Sequence, residues 1–188
     1  VINQSNDGAR RSLEEEFFAR QNQELLQKLR VQKNREESKA QLSQYSGIKD
    51  DAVLEHLLNQ NIQPSTMVAL ALVPLVLTAW ADGVMDPQER KAILQAMNEY
   101  GIDAQHPAHE LLQSWLTEMP NSSLFETWRT YVKGLAQSMD PNSFDKLKIQ
   151  IMQRTRAVAE AAGGLLGLGS KISPAEKEQL TRLEAAFS

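Results

Sequence analysis

Between Met67 and Ala81 the chain runs for fifteen residues without a charge, MVALALVPLVLTAWA. A helix that spans a membrane needs about 20 apolar residues to cross roughly 30 Å of hydrocarbon. This stretch is shorter, ends against Asp82 and carries Pro74. The expectation is a helix buried at the centre of a globular fold, around which the other segments arrange their apolar faces. Contact of the same stretch with a membrane surface is the competing expectation.

The other segments read as helices with explicit start and stop signals. A short one spans Asp51 to Gln60 and carries Val53, Leu54, Leu57 and Leu58. Asp86-Pro87-Gln88-Glu89 starts another: Asp86 is a natural N-cap, Pro87 suits the first turn and Glu89 can complete the cap. Its inner face is Ile93, Leu94 and Met97, and Gly101 ends it. Leu111 to Leu116 form the next, stopped by Pro120, and Leu124 to Leu135 the one after. Asp140-Pro141 opens a long helix that stops at Gly163-Gly164, and a last helix runs from about Pro174 to Phe187. No alternating strand pattern appears, so the predicted class is all-α. The expected organisation is a flexible N-terminus over 1–8, a charged amphipathic helical arm over 9–46 and a compact helical bundle over 47–188.

Composition narrows the chemistry. The net charge is −4, which argues against general nucleic-acid binding. Absence of cysteine removes disulfides, zinc thiolates and thiol nucleophiles, and it fits a cytoplasmic or otherwise reducing compartment. The first eight residues show no basic region followed by an apolar run, so no signal peptide is expected. Gly163 to Gly169 is glycine-rich but follows a helix and lacks the Lys-Ser/Thr of a phosphate loop. His106 and His109 stand three apart beside Glu110, a spacing that serves a metal or a helix start. His56 reads as a boundary residue, and Trp80, Trp115 and Trp128 as packing rather than a stacking platform. No serine has a base nearby in sequence. The expectation is a non-enzyme without a cofactor.

Two helix starts echo each other. Gly83-Val84-Met85-Asp86-Pro87-Gln88-Glu89-Arg90 aligns with Ser170-Lys171-Ile172-Ser173-Pro174-Ala175-Glu176-Lys177. Both place a short polar cap before proline, with glutamate two residues later, either by pseudo-symmetry or as two independent capping boxes. Ala79-Trp80-Ala81-Asp82-Gly83-Val84-Met85-Asp86-Pro87-Gln88-Glu89, after an apolar helix, resembles the signature of the tellurite-resistance TerB-like family, and Gly169 to Glu176 stands where that family carries its matching turn. The resemblance covers about residues 50–188 and implies a compact helical bundle associated with stress responses. It also implies that Asp82, Asp86 and Glu89 form a surface cation or partner site. The second turn has Gly169 and Ser173 where the first has Asp82 and Asp86, which weakens a metal site built from both. A standard EF-hand fails too, because Thr78 and Trp80 stand where calcium needs carboxylates. Helix capping is the simpler role for Asp86 and Glu89.

The arm begins with Ser12-Leu13-Glu14-Glu15, a capping-box pattern, and continues with Phe17, Phe18, Leu25, Leu26 and Leu29 on a broad stripe. Beyond Leu29 the apolar positions thin out, and Gly47 breaks the helix. Glu14-Glu15-Glu16-Phe17-Phe18-Ala19-Arg20, followed by Glu24-Leu25-Leu26-Gln27-Lys28-Leu29, is similar to the inhibitory helix of the mitochondrial F-type ATPase inhibitor proteins over about residues 9–35. That resemblance implies Glu14, Phe17 and Phe18 as anchors between catalytic subunits, with Arg20, Leu25 and Leu29 supporting the same face. The family's His-rich regulatory stretch is absent here, and a globular domain replaces its coiled-coil tail. Adjacent phenylalanines point about 100° apart on a helix, so one narrow groove covers both poorly. Two such rings on a solvated arm fit a protein partner; folding back on the bundle or pairing with a second copy are the alternatives. The expected function is therefore an interaction or regulatory protein that meets a macromolecular complex through its arm, the alternative being a metal-responsive stress protein acting through Asp82–Glu89. Membrane contact is expected only through a partner.

Overall fold

The computed structural model describes the backbone of residues 3–162 and 172–188, and the side chains of residues 20–161 and 172–188. The glycine-rich turn at 163–169 and the side chains of Glu14, Phe17 and Phe18 lie outside the described residues. The chain is all-helical, as the sequence predicts: no strand occurs among the described residues. The helices are α1 (Asn3–Ser46), α2 (Asp51–Asn59), α3 (Val73–Ala79), α4 (Pro87–Glu99), α5 (Ala108–Thr117), α6 (Ser123–Ser138), α7 (Pro141–Ala162) and α8 (Pro174–Ala185), with a 3-10 turn at Met67–Ala71. No helix among the described residues is long and apolar enough to cross a membrane.

Two compact units divide at Ala40 and Gln41, six residues before the boundary expected at Ser46. The reason is Leu42, which is fully buried in the bundle core together with Ile48. Gly47, at φ +73°, turns the chain between them, a conformation that costs glycine little. Helix α1 also begins earlier than expected, at Asn3, inside the segment read as flexible. No proline occurs before Pro64 to stop it.

Within the bundle, α3 is the centre. Val73, Pro74, Leu75, Val76, Thr78 and Ala79 are all buried, and α7, α4, α8 and α6 pack against it. The central helix expected over 67–81, with Pro74 interrupting it, is two pieces that meet at Leu72. Leu72 N–H donates to Ala69 O at 3.0 Å and closes the 3-10 turn, while Val76 N–H donates to Leu72 O at 3.1 Å and starts α3. Pro74 is the cause: it has no N–H to extend an upstream ladder, but it fits the first turn of a new helix. One apolar cluster gathers Leu42, Ile48, Leu57 and Trp128 with Leu183 and Phe187. The other joins Leu72, Leu75 and Val76 to Ile93, Met97, Leu112 and Val158. Trp128 is fully buried and meets Phe187 edge-on, with ring centroids 5.4 Å apart. Gly134 lets α6 come close: a Cβ there would stand 2.9 Å from Ile48 Cδ1.

The two ends of α1 therefore differ in what they stabilise. Leu42→Ala removes a fully buried side chain and is expected to cost about 2–5 kcal/mol. Leu29→Ala, at a position more than half exposed, should stay within about 0.5 kcal/mol. Urea denaturation of the two variants measures the difference directly.

Candidate functional site

Two places hold the residues singled out by sequence, and they differ in character. On α1, Arg20 is exposed, as are Leu25, Leu26, Leu29 and Val31, and each of these four apolar residues is more than half exposed. Leu25 and Leu29 share one line of the helix because they stand four apart, and Leu26 lies about 100° round from Leu25. Helix propensity rather than burial carries this part of α1: the stretch from Arg20 to Arg35 consists of Gln, Leu, Lys, Arg, Asn, Glu and one Val, mostly strong helix formers.

The acidic turn lies between α3 and α4. Each carboxylate there is used locally. Asp82 Oδ1 accepts the Val84 N–H at 3.0 Å, Asp86 Oδ1 accepts the Gln88 N–H at 2.7 Å, and Glu89 Oε2 accepts the Asp86 N–H at 3.0 Å. Asp86 and Glu89 thus close the capping box that the sequence suggested. Two long-range bonds fix the turn against α5: Trp80 Nε1 donates to Trp115 O, and Arg90 Nη1 donates to Leu116 O, both at 2.8 Å. Among the described residues no group of three or more His, Cys, Asp or Glu side chains is arranged to hold a metal ion. His106 Nδ1 accepts the Ala108 N–H at 3.0 Å, so that ring nitrogen serves the start of α5.

The echo in sequence has a counterpart in space. Ser173 Oγ accepts the Glu176 N–H at 3.2 Å, and Glu176 Oε2 accepts the Ser173 N–H at 2.5 Å, a second closed capping box. Glu89 and Glu176 are both buried, at 3% and 7% exposure, and their carboxyl groups hydrogen-bond to each other. Burial pushes the Glu89 carboxyl up to about 8; the Asp86 amide opposes this, while Glu176 and then Asp82 add to it. Two ionised carboxylates in one apolar place repel, so a proton held between them is what lets the pair stay buried. Sequence reasoning named Glu89 and missed Glu176 as its partner. The signal was present in the aligned Pro-x-Glu of the two helix starts.

His56, read as a boundary residue, lines a groove of about 650 Å³ together with Val53, Lys133, Phe144 and Phe187. Its Nε2 is buried and has no hydrogen-bond partner. No family model, no curated protein and no solved structure matches this chain.

Glu89 keeps its proton in the folded state and loses it on unfolding between pH 4.5, its ordinary value, and about 8. The folded state binds more protons in that window, so stability is greatest at its acidic end and falls as pH rises through it. Glu89→Gln keeps a carbonyl for the cap and adds a donor toward Glu176. Thermal melts across the window should show the wild-type protein losing stability toward about pH 8 and the variant losing less.

Proposed function

We propose that this is a non-catalytic interaction protein whose N-terminal helix is the partner-binding element and whose bundle holds that helix. The observation that carries this reading is the exposure of Leu25, Leu26, Leu29 and Val31 on α1, in a chain that buries its other leucine-rich segments in two apolar clusters. Fully burying such a side chain is worth roughly 1.5–3 kcal/mol, and four of them on one solvated stretch leave that stabilisation available to a partner. The resemblance of residues 9–35 to the F-type ATPase inhibitor helices gives the reading its sharpest form. In that form Glu14, Phe17 and Phe18 enter a rotary catalytic interface, supported by Arg20, Leu25 and Leu29, and hydrolysis stops.

Site-specific photo-crosslinking tests the general proposal. A crosslinker at Leu26 should capture the partner in cells, whereas one at Ile149, an equally exposed apolar position on α7, should not. Adducts from Ile149 alone would move the binding site to the bundle. For the sharper form, purified F-type ATPase should lose hydrolysis on addition of the chain, and Phe17→Ala/Phe18→Ala should restore it without changing the bundle's melting temperature.

A further inference from the structure

Residues 20–35 of α1 carry an unusual charge. Arg20, Lys28, Arg30, Lys33 and Arg35 stand against the single acid Glu24, a net +4 in a chain whose total is −4. The charges are also arranged. At about 100° per residue, Leu25, Leu29 and Leu26 fall in one sector roughly 100° wide. Lys28 borders that sector on one side and Arg30 on the other, while Lys33 follows Leu29 by one turn on the same face. Glu24 falls on the far side of the helix, where Arg20, Val31 and Arg35 also lie. Arg35 is half-buried and the rest of these residues are exposed. The Lys33 ammonium lies 3.8 Å from Glu37, an ion pair open to solvent on both sides, which contributes little and yields readily to another anion.

From this arrangement we infer that residues 20–35 of α1 seat on an anionic lipid surface, with the leucines in the acyl boundary and the cations among the phosphates. Shallow leucines rimmed by Lys and Arg are what an interfacial helix needs: the stems follow the apolar surface while the charged heads reach the headgroups. A protein groove asks for something else, apolar anchors repeated at i, i+3 or i+4 and i+7. Here the positions seven residues after Leu25, Leu26 and Leu29 are Gln32, Lys33 and Glu36. Phe18 stands seven residues before Leu25, so the apolar positions of this face run up to Leu29 and end there, while the positive charge continues to Arg35. Charge complementarity selects lipid with an acidic headgroup, because each cation near such a surface contributes about fivefold to binding, the equivalent of ~1 kcal/mol.

The inference rests on α1 being the binding element and assigns Leu25, Leu26 and Leu29 to lipid in place of the ATPase interface; Glu14, Phe17 and Phe18 remain for a protein partner. Co-sedimentation of the full chain with vesicles tests it, comparing pure phosphatidylcholine with the same lipid containing about 30% phosphatidylserine. The chain should sediment with the acidic vesicles only, and raising salt from about 50 to about 300 mM should release it. Arg30→Gln/Lys33→Gln should weaken binding roughly 25-fold, and Leu25→Gln/Leu29→Gln should abolish it, with both variants melting like the wild type. No sedimentation, or equal sedimentation with both vesicles, overturns the lipid inference; crosslinks from Leu26 to a protein would then leave α1 as the binding element. Binding that survives Leu25→Gln/Leu29→Gln also overturns the lipid inference, since the lipid contact would lie elsewhere on the chain.

Discussion

Everything in the bundle depends on the burial of α3. A helix of seven residues cannot hold itself together in water, and this one has no polar face to offer solvent. It persists because four other helices cover it. Its residues also join the two apolar clusters: Val73 packs into one, and Leu75, Val76 and Ala79 into the other. The 3-10 turn before it does the same, sending Leu70 one way and Leu72 the other. Pro74 sets the break that makes this division possible. A straight helix through residues 67–81 would carry its apolar side chains on one continuous spiral, whereas the break at Leu72 re-aims the second half.

Around that centre, the two buried carboxyl groups among the described residues stand at helix starts. Asp86 and Ser173 cap α4 and α8, and the glutamates that complete those caps meet each other inside the fold. An acid pair is a costly way to join two helix ends, since apolar side chains would pack there without any proton. What the pair provides is registry: each carboxyl is held by its own capping box, so the two helix starts face one another in a defined arrangement. Asp82 and Asp86 stay at the rim, bonded to the backbone of their own turn.

Much of the fold was legible in sequence because the punctuation is strong. Pro87, Pro141 and Pro174 each open a helix, and Gly47 and Gly101 take up the positive φ that follows a helix end. Three features were not legible, each for a physical reason. The break at Leu72 depends on how Pro74 is used, and a proline within an apolar run is compatible with a kink, an end or a start. The burial of Leu42 was hidden because one leucine among polar residues shows no periodicity. The Glu89–Glu176 contact joins residues 87 positions apart, and local spacing carries no information about distance in space. For α1 the sequence showed the leucines and the charges, but not that Leu25, Leu26 and Leu29 are exposed.

The ring of Phe187 against Trp128 has a consequence for the order of events during synthesis. Leu42 and Ile48 enter the same cluster as Phe187, so that cluster draws on residues from both ends of the bundle's stretch of chain. A nascent chain presents Leu42 long before Phe187 exists. Until α8 emerges, Trp128 has no edge-on partner and the surface around Leu183 stays open to water. That cluster is therefore complete only once α8 has emerged. A ribosome pausing within α8 would leave the largest buried ring of the protein uncovered, and that interval is when the chain most needs protection from aggregation.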